Sequence, residues 1–222
     1  LDSLDGRLHQ MFEQTEATHY AGFLTAGKCF RYTAAKTKPY KGNRKHGDKP
    51  IIFPAIKEYL RQQWNFISIP ELEADDLVSI YHNENTVICS PDKDVLYQNE
   101  GIHYNYGKAE FIETSPEEAE WFLWKQMLMG DSTDGIQGIP KVGPKTAETY
   151  LKNISTDNMP AFVLNKYIEK FGYAKGITNF AETFKLIYIL KDRSDVRREV
   201  DIELNPLISY EVEPINSDDL WQ

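Results

Sequence analysis

The sequence predicts an α/β fold with a mostly parallel sheet, followed by a helical C-terminal part. Three features carry that expectation. Short apolar runs alternate with helical stretches up to about residue 106, the periodicity becomes helical after Pro116, and a glycine- and proline-rich turn, Gly138-Ile-Pro-Lys-Val-Gly-Pro144, separates two of the later helices.

The elements follow in order. A helical stretch at 4–12 leads to the strand His19-Tyr-Ala-Gly-Phe-Leu-Thr25. Residues 28–49 then hold Lys28, Arg31, Lys36, Lys38, Lys41, Arg44, Lys45 and Lys49 against a single Asp, with Phe30, Tyr32 and Tyr40 interleaved. Charge runs ordinarily mark solvated segments. Aromatics among the cations suit a single-strand path instead, because bases stack on rings while cations follow phosphates. The position of this run, between a strand and a helix at 51–64, suits a mobile lid. Phe66-Ile-Ser-Ile69 is a further strand, and Pro70-Glu71-Leu72-Glu73 reads as a helix start that continues through 76–81, since acidic side chains favour the positive end of the helix dipole. Thr86-Val-Ile-Cys-Ser90 is a short buried strand with Asp92 and Asp94 just past its end, the edge at which open α/β sheets bind ligands. Ile102-His-Tyr-Asn-Tyr106 is another strand. Ser115 is placed as the N-cap of the next helix, with Pro116 at its first position and Glu118 able to close a capping box. That helix runs to about Met129 and ends at Gly130, leaving Asp131 and Asp134 on a turn. Trp121, Trp124 and Leu128 recur at helical spacing and belong to the core. Helices follow at 145–151, 160–171 and 178–190, and the segment after Lys191 has no defined pattern.

At 222 residues the chain supports a core and one or two domains, and no apolar run approaches the roughly 20 residues of a membrane helix. No stretch reads as a secretory signal. Two cysteines, Cys29 and Cys89, make no disulfide framework and suit a reducing compartment. The net charge of −9 argues at first against a nucleic-acid partner, but residues 28–49 carry +7 and leave −16 for the rest.

Part of that acidity falls in three clusters: Glu73-Ala-Asp75-Asp76, Asp92-Lys-Asp94 and Asp131-Ser-Thr-Asp134. An isolated acidic run is ordinarily a solvated helix start. Carboxylates converging from three elements would repel one another unless a cation neutralised them. Hard divalent cations take oxygen ligands, and two of them about 3.5–4 Å apart activate a water and stabilise the leaving oxygen of a phosphodiester. The five histidines and two cysteines show no zinc spacing, and hydrolase-type nucleophile motifs are absent. After Asp134, Gly138, Pro140, Gly143 and Pro144 allow a hairpin whose amides point outward at a helix N-terminus, a phosphate site flanked by Lys141 and Lys145. Contacts of that kind position a duplex without reading its sequence. An ordinary turn would account for this segment alone; joined to Gly130-Asp-Ser-Thr-Asp134, it points to DNA.

These residues resemble the 5′ nucleases: the bacteriophage 5′-3′ exonucleases and flap endonucleases, and the 5′ nuclease domain of bacterial DNA polymerase I. The matches are Phe30-Arg31, Tyr40-Lys-Gly-Asn-Arg44, Glu73-Ala-Asp-Asp76, Ser90-Pro-Asp-Lys-Asp94 and the run from Gly130 to Ala147, in the family's order over roughly residues 19–150. The resemblance implies a PIN-like core at 1–115 with a basic helical arch near 28–60, a helix-hairpin-helix (SAM-like) DNA-binding domain at 116–190, and a C-terminal extension at 191–222. It further implies that Glu73, Asp75, Asp76 and Asp92 belong to a tighter metal site, and that Asp94, Asp131 and Asp134 lie near a looser one. Lys41 and Arg44 would be the catalytic arch residues that meet substrate phosphates. Lys28, Arg31, Gly138, Lys141, Gly143, Lys145 and Thr146 would contact DNA. Two Mg²⁺ or Mn²⁺ ions would be the cofactors, with a K⁺ ion at the hairpin. The partner would be DNA with a 5′ end, flap or branch, with neither membrane nor protein partner, in the cytoplasm (the host's, for a phage-encoded chain).

Two departures qualify the expected activity. The family's first strand carries an Asp that nothing here matches, so the chain is expected to be the remainder of a longer polypeptide. At the end of the next strand, where many members place a metal-site Asp, the sequence reads Thr25-Ala26-Gly27. The expected function is metal-dependent 5′-3′ exonuclease or flap endonuclease activity by a two-metal mechanism. The alternative is a catalytically impaired protein of the same fold that binds branched DNA without cutting. A PIN-type ribonuclease is disfavoured, because it has no need of a duplex-gripping hairpin.

Overall fold

The structure, a computed structural model, describes residues 2–43 and 50–192 together with the backbone of residues 210 and 211. Arg44, Lys45 and Lys49, and most of the extension expected at 191–222, lie outside the described residues. In chain order the elements are α1 (Asp2–Thr15), β1 (His19–Tyr20), α2 (Arg31–Ala34), α3 (Phe53–Trp64), α4 (Ala74–Ile80), β2 (Ile88–Cys89), α5 (Lys93–Gln98), β3 (Gly101–Asn105), β4 (Glu110–Thr114), α6 (Pro116–Met129), β5 (Gly130–Asp131), β6 (Ile136–Gln137), α7 (Pro144–Leu151), α8 (Met159–Phe171), α9 (Tyr173–Ile187) and β7 (Tyr210–Glu211).

The fold is α/β, but its main sheet is mixed. β2 and β3 run parallel, with Ile88 opposite His103 and Cys89 opposite Tyr104, and β4 then folds back antiparallel on β3 with Gly101 opposite Thr114. β4 lacks a legible alternation, because Phe111 is 51% exposed while Thr114 points inward. The strand expected at 19–25 is regular only at β1, which pairs antiparallel with β7. Beyond it the chain runs parallel to residues 67–71 through single bridges, Phe23 to Ile67 and Cys29 to Glu71. Leu24 N donates to Ile67 O at 2.8 Å, and Ile67 N to Gly22 O at 2.9 Å.

The helix start expected at Pro70 lies further on. Glu71 adopts a φ of 66°, which no helix continues, and α4 begins at Ala74 with Glu73 as an extended N-cap. α6 begins as its sequence dictates: Glu118 N donates to Ser115 Oγ at 3.2 Å, and Ser115 N donates to Glu118 Oε2 at 2.8 Å. It ends at Gly130, whose φ is 73°. A Cβ on Gly130 would fall 2.3 Å from Gly138 N, and one on Gly138 would fall 2.3 Å from Gly130 N. Only two facing glycines let β5 and β6 close this tightly on the end of α6. The short hairpin so made presents Asp131 and Asp134 on its turn.

The principal core gathers Leu123, Trp124, Met127 and Leu128 of α6 with Leu151, Val163, Tyr167 and Leu186, and Trp121 packs against it. Cys29 and Tyr40 join the same cluster. The apolar face of α6 therefore ties the C-terminal helices to the basic segment. Burial of such side chains stabilises by about 1.5–3 kcal/mol each. That packing fixes where residues 29–41 approach the sheet.

Candidate metal centre and nucleic-acid interface

Glu73, the N-cap of α4, and Asp75 and Asp76 in its first turn lie side by side, but their environments differ. Asp76 is fully buried, and its two carboxylate oxygens each accept from Arg31, from Nη1 and Nη2 at 2.7 Å. Glu73 N and Leu190 N also donate to Asp76, both at 3.2 Å. The rest of the Arg31 fork goes to Leu186 O at 3.1 Å, Tyr188 O at 2.8 Å and Glu73 Oε2 at 3.3 Å. Burial pulls the guanidinium pKa down, but Asp76 outweighs it and holds Arg31 above its ordinary range. Arg31 is 3% exposed, so its expected role as a DNA contact is corrected. Its donors are engaged inside the protein.

Glu73 meets the basic segment directly. Tyr40 Oη donates to Glu73 Oε2 at 2.9 Å and lies 3.0 Å from Asp134 Oδ2, while the Lys41 ammonium pairs with Glu73 and stands 3.6 Å from Asp134. Lys41 N also donates to Asp134 O at 2.7 Å, and Asn43 Nδ2 to Ser132 O at 2.5 Å. Burial pushes the Glu73 carboxyl up, yet Arg31 and Lys41 outweigh it and hold the group below the usual carboxylate range. Burial and then Glu73 drive the Tyr40 phenol well above its usual value, so it stays a donor. Tyr40, one of the aromatics read as stacking surfaces for bases, is buried here as a bridge between two carboxylates.

The remaining acids lie close to one another, and two of them are raised. Burial, then Asp92, Glu73 and Asp76, push the Asp75 carboxyl up to about 6. Burial, then Asp92 and Asp131, push the Asp94 carboxyl up to about 7 against the opposing pull of Lys93, whose ammonium stands 3.8 Å away. Asp92 is the exposed N-cap of α5, accepting from Asp94 N at 2.9 Å. Asp131 accepts from Thr133 N at 2.7 Å, which orders the turn leading to Asp134. Glu73, Asp75, Asp92, Asp94, Asp131 and Asp134 thus form one electrostatic neighbourhood drawn from α4, α5 and the β5–β6 turn.

The donor chemistry of this neighbourhood fits a hard divalent cation. Every candidate ligand is a carboxylate oxygen, and burial together with the neighbouring acids keeps Asp75 and Asp94 raised despite the opposing pull of Lys41 and Lys93. Among the described residues no three acids, histidines or cysteines stand close enough together to hold a metal ion by themselves. A cation that keeps several waters and binds partly through substrate phosphate needs no such group. Asp76 gives both of its oxygens to Arg31 and is fully buried, whereas those of Glu73 are engaged by Lys41, Tyr40 and Arg31 at the edge of the neighbourhood.

The expected DNA contacts divide in the same way. Lys28, Lys141 and Lys145 are exposed, and Thr146 is half-buried in the first turn of α7. Gly143 is the N-cap of that helix, with open space where a Cβ would stand. Gly138 has the packing role against Gly130 described above. Arg44 lies outside the described residues.

Three contributors had no site role assigned from the sequence. Gln126, a polar residue on the buried face of α6, donates to Asp94 Oδ1 at 2.9 Å and accepts from Gln98 Nε2 at 2.7 Å. A lone glutamine between Trp124 and Met127 was the available clue. Thr25 Oγ1 accepts from Ala74 N at 3.0 Å, so the residue standing where the family often has an acid serves the N-terminus of α4. Asn43 ties the basic segment to the Asp131–Asp134 turn through Ser132.

No protein-family model matches the chain. In sequence it is similar to the exodeoxyribonuclease of Enterobacteria phage T3, 32% identical over 123 residues, covering 51% of this chain and 40% of the relative. It is similar also to a 5′-3′ exonuclease of Buchnera aphidicola from Acyrthosiphon pisum, 33% identical over 130 residues, covering 50% of this chain and 44% of the relative. The chain therefore spans less than half the length of these relatives. In structure it matches a flap endonuclease of bacteriophage T5, solved with DNA and metal ions, with a TM-score of 0.57 and 19% identity over 84% of this chain and 77% of the other. In sequence the chain is thus similar to phage and bacterial 5′-3′ exonucleases, and in fold to the T5 flap endonuclease.

Proposed function

We propose that this chain is the site-bearing part of a metal-dependent 5′ nuclease that hydrolyses DNA phosphodiesters near a 5′ end, flap or branch. The observation that carries the reading is the meeting of Lys41, from the basic segment, with Glu73 and Asp134 at the edge of a neighbourhood that also holds Asp75, Asp92, Asp94 and Asp131. Asp75 and Asp92, with Glu73, would hold one Mg²⁺ or Mn²⁺ ion, and Asp94, Asp131 and Asp134 a second. Bound there, such ions supply a water of lowered pKa and neutralise charge on the phosphate. The chain's own residues do the positioning. Lys41 and Arg44 orient the scissile phosphate, and Gln126 holds the Asp94 carboxylate in place. Lys28, Lys141, Gly143, Lys145 and Thr146 track the duplex backbone, with a K⁺ ion at the turn before α7. Asp76 supports the site by fixing α4 through Arg31.

A second reading, a binder of branched DNA that does not cut, is favoured by Thr25, whose hydroxyl serves Ala74 N where an acid would face the metals. One assay separates the two. A 5′-labelled flap duplex and a matched RNA substrate are incubated with and without Mg²⁺. Mg²⁺-dependent loss of the DNA label, with RNA spared, supports the nuclease. Retarded but uncut DNA supports the binder, and cleavage of RNA alone overturns both.

A further inference from the structure

We propose that Glu182 on α9 is a positioning residue that holds the stem of the basic segment, so that Tyr40 and Lys41 reach the carboxylates. The carboxylate of Glu182 accepts from Lys36 N at 2.8 Å and Thr37 N at 2.7 Å with one oxygen, and from Thr37 Oγ1 at 2.7 Å with the other. Burial pushes the group up, but these donors, with Lys36, outweigh it and hold it below the usual carboxylate range. The next residue extends the pattern: Thr183 Oγ1 donates to Gln137 O at 3.2 Å, in β6, directly after the turn that carries Asp131 and Asp134. Leu186, one helical turn from Glu182, receives Arg31 Nε on its carbonyl. Consecutive turns of α9 therefore hold the start of the basic segment, its stem at 36–37 and the acidic hairpin.

The reach of the chain makes the stem consequential. Tyr40 lies three residues past Thr37, about 10 Å of extended chain, so the anchor limits where Tyr40 and Lys41 can stand. At the far end, Lys41 N and Asn43 Nδ2 bond the acidic hairpin itself. Glu182 thus closes a loop of chain between two fixed points. A cavity of about 140 Å³ beside it, bordered by Thr37, Lys38, Gln137, Lys175 and Asn179, leaves the carboxylate reachable by water. Its removal strands no buried charge, and variants are expected to fold.

The catalytic consequence rests on the nuclease reading above; the positioning itself does not. The test compares the full chain with Glu182→Ala and Glu182→Gln. The deciding readout is the rate at which an amine-acylating reagent labels Lys41, with exposed Lys145 as internal reference and thermal melting as the check on folding. Labelling of Lys41 relative to Lys145 should rise about tenfold in Glu182→Ala, the effect of losing at least one charge-assisted hydrogen bond. Glu182→Gln, which keeps an oxygen for the Lys36 and Thr37 amides, should restore most of the protection. In the cleavage assay Glu182→Ala should lower kcat with little change in KM, because a displaced Lys41 is missed most in the transition state. Unchanged relative labelling in a folded Glu182→Ala overturns the proposal, as does raised labelling with unaltered kcat. A wild-type chain that cuts no DNA overturns the nuclease reading, and the labelling ratio then decides this proposal alone.

Discussion

Arg31 holds both oxygens of Asp76 at 2.7 Å each, in a pair that is 3% exposed on one side and fully buried on the other. A cation and an acid that sequence alone would assign to DNA and to metal thus neutralise one another. The pair instead fixes the first turn of α4 against the end of α9, through Leu186 O and Tyr188 O. Asp75, the neighbouring acid on α4, is raised by burial and by the Asp92 it faces.

Breaking such a pair from one side leaves a buried charge alone. Arg31→Met should therefore lower stability by about 3–5 kcal/mol in chemical denaturation. At conditions where the variant remains folded, its duplex affinity should match the wild type. Weakened DNA binding with unchanged stability would return Arg31 to the DNA surface.

Asp94→Asn separates binding from chemistry. It removes a candidate metal ligand and one source of repulsion toward phosphate, so cleavage should fall by at least about 100-fold, beyond the 10–100-fold typical of residues one shell further out. Affinity for flap DNA should be equal or higher by fluorescence anisotropy. Cleavage at the wild-type rate in ordinary Mg²⁺ would remove Asp94 from the site.

The elements that local chemistry specifies were legible in the sequence. Ser115, Pro116 and Glu118 announced the start of α6, and Gly130 its end, because capping depends on residues within one turn of each other. The spacing of the acids likewise picked out Asp75, Asp92, Asp94 and Asp131, which the fold makes electrostatic neighbours. What remained hidden depends on tertiary partners. Arg31 has the same sequence context as the cations that stay exposed, and only the carbonyls at the end of α9 make it structural. Tyr40 reads as a stacking aromatic until Glu73 and Asp134 surround its hydroxyl. β4 was invisible because its outward Phe111 disguises the alternation. Glu182 is one acid among many until residues 36 and 37 are brought to it from the other end of the chain.

The raised acids make a prediction about pH. With folded-state values of about 6 for Asp75 and about 7 for Asp94 against an ordinary 3.8, these two groups hold more protons in the metal-free folded chain than in the unfolded chain between about pH 4 and 7. Their contribution to stability therefore declines as pH rises through that window. His82 and His103, held below their ordinary 6.5 chiefly by burial, act in the opposite direction. The clean observable is thus the difference between wild type and Asp94→Asn, in which the histidine contributions cancel. Without metal, the melting temperature of Asp94→Asn relative to wild type should increase from pH 4 to pH 7.5, and saturating Mg²⁺ should abolish that trend. A difference that does not vary with pH would mean that Asp94 is not strained by its neighbours.

Lys145 tests the second surface. It is exposed at the first turn of α7, beside the open Gly143. Lys145→Ala should weaken duplex binding to the same extent for every sequence, and reduce the slope of log K against log salt by about 1 in magnitude, as expected for one lost phosphate contact. A loss confined to particular sequences would make this turn a reader of bases.

Acids from α4, α5 and the β5–β6 turn are proposed to hold divalent cations beside Lys41, and anomalous diffraction from crystals soaked in Mn²⁺ tests this most directly. Density is expected at oxygen-ligand distance, about 2.0–2.6 Å, from Asp75 or Asp92 and from Asp94 or Asp131, with Asp76 still paired to Arg31. Density confined to surface acids elsewhere, with this cluster empty at saturating Mn²⁺, would contradict it.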